Sequence, residues 1–137
     1  MARPLRIEYP GAWYHVTARG NEKKPIFRQE GDRRHFLDLI EESVHRHRLR
    51  IHCYTLMDNH YHLIVETPLA NLSVAMQWLG VSYSTWFNRR HRRVGHLFQG
   101  RFKGILLEPS RALALSRYLH LNPVAIKRFG LGKTARK

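Results

Sequence analysis

Two strand-period segments that meet at Asp58-Asn59 constrain this chain more than any other feature of its sequence. Residues 50–57 put Ile51, Cys53, Thr55 and Met57 on one face, and residues 60–66 alternate again directly after the Asp-Asn pair. A two-residue turn signal between such segments predicts an antiparallel hairpin. Before it, Trp13-Tyr14-His15-Val16-Thr17-Ala18-Arg19 alternates and is rich in strand formers, and Gly20-Asn21 closes it with turn chemistry. Over residues 32–47, Phe36, Leu37, Ile40 and Val44 recur at helical spacing, with Asp32 as the cap.

After the hairpin, Leu72, Met76, Leu79, Tyr83 and Phe87 mark the buried face of a helix over residues 72–91. Gly80 interrupts it at a cost of roughly 1 kcal/mol against alanine. The cations at Arg89, Arg90, Arg92 and Arg93 suit the negative end of that helix. A short strand follows over residues 104–107. Pro109 opens a last helix that Asn122-Pro123 stops, because a residue before proline avoids helical backbone. The order strand, helix, strand, strand, helix, strand, helix predicts an α+β fold. Its form is a ferredoxin-like split βαβ sandwich, an antiparallel sheet with helices on one side. A length of 137 residues, with no repeat and no Ser/Gly linker, predicts one domain over 1–137.

Charge narrows the function. There are 24 Lys and Arg against 10 Asp and Glu, a net charge of +14. Residues 1–88 carry 11 basic and 9 acidic side chains, whereas residues 89–137 carry 13 basic side chains and one acid, Glu108. Clustered cations gain free energy by releasing counterions from phosphates, so the asymmetry predicts a polyanionic partner. No apolar run approaches the ~18 residues of a membrane span, and Met1-Ala2-Arg3-Pro4-Leu5-Arg6 has no apolar secretory stretch. Cys53 is the one cysteine, which excludes an intramolecular disulfide and any zinc site built on cysteine pairs. A reducing cytoplasm is the expected compartment.

Two places could carry chemistry. In Asn59-His60-Tyr61-His62-Leu63, His60 and His62 leave one face of a strand and Tyr61, Leu63 and Val65 the other, so the imidazoles could chelate a divalent metal. With 10 histidines in the chain, such a pair also arises by chance, as partly exposed histidines in a basic surface. In the last helix, Tyr118 and Asn122 are one turn apart on one face. They could supply a nucleophile and a metal ligand, or equally a rim tyrosine and a helix cap.

Together these segments resemble a known family. Leu56-Met57-Asp58-Asn59-His60-Tyr61-His62-Leu63 resembles the HUH signature. Asn88-Arg89-Arg90-His91 with Gly95-His96-Leu97-Phe98-Gln99-Gly100-Arg101-Phe102-Lys103 is similar to the basic stretch of the single-tyrosine, IS200-like HUH transposases. Arg117-Tyr118-Leu119-His120-Leu121-Asn122-Pro123-Val124 resembles their tyrosine helix. The nearest likeness is to REP-associated tyrosine transposases of bacteria, and it runs from Arg3 to Val124.

The resemblance implies metal-dependent nicking and strand transfer of single-stranded DNA at hairpin-bearing repeats, in the bacterial nucleoid. Tyr118 would attack the scissile phosphate and keep a 5′-phosphotyrosine, while His60, His62 and Asn122 hold Mg²⁺ or Mn²⁺. Covalent capture conserves the bond energy, so rejoining needs no ATP. Arg89, Arg90, Arg92, Arg93, Arg101 and Lys103 would contact phosphates, since no acid lies between Arg89 and Lys103 to pair with them. Trp86, Phe98, Tyr9 and Tyr14 are candidates for stacking on bases, although Trp86 also suits a core. Arg3 and Arg6, in an arm over residues 1–12, would read the foot of the hairpin. The alternative is a domesticated protein that binds hairpins without cutting; a hydrolase using activated water ranks third. Relatives work as dimers or as monomers, and neither is chosen by these residues. Two departures stand out. Asp58 lies where relatives usually have proline, which puts a carboxylate beside the histidines. The 14 residues after Pro123, with a basic tail over 125–137, replace a longer Trp- and Ser-containing segment, as in a shortened copy.

Overall fold

The computed structural model describes residues 7–121. The elements are β1 (Ala12–Arg19), α1 (Glu30–His47), β2 (Arg50–Leu56), β3 (His60–Thr67), α2 (Leu72–Arg90), β4 (Lys103–Leu107) and α3 (Pro109–Leu121), with a short 3₁₀ turn at Asn21–Lys23. The sheet has four strands in the order β2-β3-β1-β4, all neighbours antiparallel. This is the α+β split-βαβ arrangement expected from the element order.

Alternation decides which face each strand buries. Tyr14 and Val16 of β1, Tyr54 and Leu56 of β2, and Tyr61, Leu63 and Val65 of β3 are buried in one core. α1 and α2 cover them with Phe36, Leu37 and Ile40 and with Leu72, Met76, Leu79, Tyr83 and Phe87. Burying side chains of this size stabilises by about 1.5–3 kcal/mol each. In two respects the structure departs from the pattern read in the sequence. A bulge in β2 shifts the register between Ile51, opposite Val65, and Cys53, opposite Ile64. Ile51 therefore packs on the helix-covered core while Cys53 turns to the other face, because a bulge adds one residue to one strand and resets its alternation. And α3 does not join α1 and α2. Its Ala112 and Leu115 pack on Cys53, Ile64, Trp13 and Leu107 across the opposite face of the sheet. That face carries its own apolar patch, which has to be covered.

Asp32 is not the N-cap of α1 but its third residue; Gln29 is the cap. The Asp32 carboxylate accepts from the backbone N–H groups of Arg28 (2.8 Å) and Gln29 (3.0 Å), the reciprocal half of a capping box. It is fully buried and also meets His91 Nε2 at 3.0 Å and Arg90 Nε at 3.4 Å, which ties the start of α1 to the end of α2. Replacing Asp32 by Asn leaves one oxygen for the two backbone donors but turns an amide NH₂ toward His91 and Arg90 and removes their buried counter-charge, an expected loss of about 2–4 kcal/mol. The exposed Asp38→Asn should stay within about 0.5 kcal/mol of wild type. Urea unfolding midpoints distinguish the two; equal values would discard the clasp.

Candidate functional site

The face of the sheet beneath α3 carries the polar residues. β1 lies on β3 with Thr17 opposite His62 and Arg19 opposite His60. β4 brings Lys103 opposite Thr17 on the other flank. The bond from Gly20 N–H to the Asn59 carbonyl (2.8 Å) pins the hairpin turn to the end of β1. A Cβ at Gly20 would overlap the Lys24 carbonyl, so only glycine fits there. The result is a cleft of about 510 Å³ lined by Thr17, Ala18, Arg19, Asn59, His60, His62, Gln99, Arg101 and Lys103.

The two histidines are held from behind. Their rings lie 5.0 Å apart, edge to face. His60 Nδ1 is 2.8 Å from Asn59 Oδ1, and Asn59 Nδ2 donates to the Lys23 carbonyl (3.2 Å), which fixes the amide so that its oxygen faces His60. His60 Nδ1 therefore carries the proton and Nε2 the lone pair. His62 Nδ1 is 2.9 Å from Nε2 of His15, a residue the sequence reading did not single out. Burial, reinforced by Arg19, holds His60 below the usual histidine range, and burial lowers His15 too. Burial, with His15 and His60 adding to it, brings His62 to about 4. All three are neutral near pH 7, the form that ligates a metal. Thr55, opposite His62, keeps a buried hydroxyl with no partner among the described residues. Two neutral imidazoles with a spare hydroxyl fit a divalent cation, although no three His, Cys, Asp or Glu side chains converge among the described residues. The third ligand expected, Asn122, lies outside them, as do Arg3, Arg6 and the tail 125–137.

The six tyrosines sort by burial. Tyr14, Tyr54, Tyr61 and Tyr83 are core residues, and burial pushes the hydroxyls of Tyr61 and Tyr83 far above the normal phenol range. Tyr14, a candidate for base stacking, instead donates its hydroxyl to the Ile7 carbonyl. Tyr9 and Tyr118 reach solvent, at 45% and 67% exposure. Tyr118 is on α3, which Ala112, Leu115 and the bond from Ser116 to the Cys53 thiol seat on the histidine face. It is not among the residues lining the cleft.

The basic residues divide into two groups. Arg101 and Lys103 are exposed in the cleft itself. Arg89, Arg90, Arg92 and Arg93 stand at and just after the end of α2, and two of them are engaged. Arg90 is bound to Asp32 and to Gln29 Oε1 (2.9 Å) and lies over the Trp86 ring, and Arg93 donates to Asn88 Oδ1 (2.6 Å). The missing local acid is thus supplied by α1, from far along the chain. Of the two rings expected to stack on bases, Trp86 stacks on His35 (4.0 Å) and lies under Arg90, and Phe98 packs on Tyr61 and Tyr83; both are half-buried against the core. Asp58 turns to Arg33 (2.8 Å) on α1. Sequence reasoning also missed Arg19 and Gln99, joined at 3.5 Å.

A pH dependence follows. The His62 pKa falls from 6.5 unfolded to about 4 folded. Through that window the unfolded chain takes up a proton that the fold refuses, so stability drops as pH falls below about 6.5 and is unaffected above it. Thermal midpoints of chelator-treated protein should therefore fall between pH 6.5 and 4, and less steeply in His62→Gln. An identical slope in the variant would refute this.

Known proteins share both pattern and fold. The family profile described as Transposase IS200 like matches residues 8–122. Among solved structures, a REP-associated tyrosine transposase bound to a REP hairpin superposes with a TM-score of 0.68 at 16% identity, over 90% of this chain and 73% of that one. A transposase described from Deinococcus radiodurans R1 superposes at 0.59 and 11% identity, over 92% of this chain and all of that one. No curated protein sequence matches. Among the described residues no helix is long and apolar enough to cross a membrane. With a profile match that spans the sheet, the histidine pair and the tyrosine helix, the chain belongs to the IS200-like transposase family.

Proposed function

We propose that this protein nicks and rejoins single-stranded DNA at hairpin-bearing repeats, acting in the bacterial cytoplasm on nucleoid DNA. One observation carries the reading: a single cleft joins two neutral histidines to Arg19, Arg101 and Lys103, on the face over which α3 carries an exposed tyrosine. Cations around a cleft attract a phosphate, and this cleft has no carboxylate among its lining residues to compete. The solved relative bound to a REP hairpin supports a hairpin as the substrate. One domain over 1–137 is proposed to act as a unit, with Arg3 and Arg6 reading the hairpin foot.

In the reaction the Tyr118 oxygen attacks phosphorus and the bond from phosphorus to the 3′ oxygen breaks. The phenol proton ends on that oxygen, leaving a free 3′-hydroxyl and a 5′-phosphotyrosine. Reversal by another 3′-hydroxyl rejoins the strand and conserves the bond energy. His60, His62 and Asn122 would hold Mg²⁺ or Mn²⁺, which supplies Lewis-acid neutralisation of the charge on the phosphate oxygens. Arg101 and Lys103 hold the strand by its phosphates beside the histidines. Arg89, exposed on the last turn of α2, and Arg92, exposed just after it, extend that contact, while Arg90 and Arg93 serve mainly to fix the end of α2.

The test is a labelled hairpin single strand incubated with Mn²⁺ and run on a denaturing gel. Wild type should give a protein–DNA adduct; Tyr118→Phe should lose it and keep its DNA affinity within a few-fold. An adduct in Tyr118→Phe would reassign the nucleophile. Tight hairpin binding without metal, and no adduct from wild type, would favour the non-cleaving alternative. Cleavage without an adduct would indicate water as nucleophile. Arg101→Ala and Lys103→Ala should each flatten the dependence of log affinity on log salt by about 0.7. Arg90→Ala should instead lower the unfolding midpoint; a salt slope reduced as much as in Arg101→Ala would contradict its structural role.

A further inference from the structure

His15 stands on the central strand β1, with Ile64 of β3 and Ile105 of β4 as its cross-strand neighbours. It is diagonal to His62, whose own partner on β1 is Thr17, and aromatic side chains reach across such diagonals. The rings lie nearly parallel, centroids 5.1 Å apart and 15° between planes, with Nε2 of His15 and Nδ1 of His62 at 2.9 Å. One N–H···N bond joins two neutral rings, and its direction decides which nitrogen of His62 keeps a lone pair. If His15 donates, the His62 proton sits on Nε2 and closes that nitrogen to any cation. If His62 donates, Nε2 is open.

His60 settles the pattern. Its Nδ1 is bound by an oxygen that only accepts, so its proton is on Nδ1 and Nε2 is open. Two histidines flanking Tyr61 on one face can act as a chelating pair only if His62 is held the same way.

We propose that His15 is a positioning residue: its Nε2 accepts the Nδ1 proton of His62 and so keeps His62 Nε2 unprotonated toward a divalent cation, as Asn59 does for His60. The inference rests on the reading of His60 and His62 as cation ligands. It gives His15 a role without contact with cation or phosphate, and it accounts for an imidazole in a strand position that an apolar residue would otherwise fill. A backing acceptor of this kind is worth about 10–100-fold in metal affinity.

The experiment uses the full chain labelled with ¹⁵N-histidine, free of metal and DNA at pH 7.5, with long-range ¹H–¹⁵N correlations to read the tautomers, followed by Mn²⁺ titration read by electron paramagnetic resonance. Wild-type His62 should be in the Nδ1–H form. His15→Leu should lose that preference and bind Mn²⁺ about 10–100-fold more weakly. His15→Gln, whose side-chain oxygen can accept the same proton, should keep the tautomer and restore affinity to within a few-fold. A wild-type His62 protonated on Nε2 overturns the proposal. So does an unchanged tautomer and affinity in His15→Leu. If His15→Gln binds Mn²⁺ as poorly as His15→Leu, His15 is a direct ligand and the positioning role is wrong. Should His15→Leu not fold, the wild-type tautomer and the Gln variant still decide. A wild type that binds no Mn²⁺, and is indifferent to His60→Ala and His62→Ala, removes the cation reading and the proposal with it. Mn²⁺ binding that needs His60 and His62 but not His15 removes the proposal alone.

Discussion

The register of β1 on β3 is the constraint on which the rest of this structure depends. Strand side chains alternate with period two, so a slip of one residue would carry Tyr61, Leu63 and Val65 out of the core and His60 and His62 into it. Each of the three buried side chains contributes about 1.5–3 kcal/mol through burial. The packing of the helix-covered face therefore fixes, as a by-product, that the histidines stand together on the other face. The same register sets Arg19 against His60 and brings His15 within a hydrogen bond of His62. Core packing and site geometry are one decision here, taken by β3.

A second division of labour concerns charge. The excess of cations toward the C-terminal end reads at first as one DNA-binding surface, but the fold splits it. Arg90 and His91 are drawn to the buried Asp32, where a carboxylate that also caps α1 would otherwise lack a counter-charge. Arg101 and Lys103 meet no such partner among the described residues and remain exposed beside the histidines. Asp32 thus keeps the α2 terminus in place, which in turn anchors the loop that returns through Leu97 and Phe98 to β1. Structural use of Arg90 sets it apart from the cations left exposed in the cleft.

Most of the fold was legible because its signals are local. The Asp58-Asn59 turn, the alternation of β3 and the apolar spacing of α2 each act within a few residues, and all three appear where the sequence puts them. What was not legible depends on pairing. The bulge at His52 resets β2 only because β3 is its partner. The seat of α3 on the opposite face depends on Trp13, Cys53, Ile64 and Leu107, four residues from four strands whose shared patch exists only in the sheet. His15 is the same case within the site. It has no motif around it, and its link to His62 spans 47 positions. Arg90 misled for the mirror-image reason, since the acid that engages it lies on another helix.

The electrostatics of the cleft bind these observations together. Arg19, Arg101 and Lys103 surround two histidines whose charged forms are disfavoured by burial and, for His60, by Arg19 itself. Such a cleft repels a free divalent cation at the same time as its neutral imidazoles offer lone pairs, and no lining carboxylate offsets the repulsion. A phosphate changes the balance, because it supplies the missing negative charge to the cations and oxygen ligands to the metal. On the reading proposed above, cation and DNA strand therefore bind better together than apart, and by linkage each strengthens the other equally. On that proposal, neutral ligands in a basic cleft would make a site completed by its substrate, with the strand's own phosphate as the acid that this part of the sequence lacks.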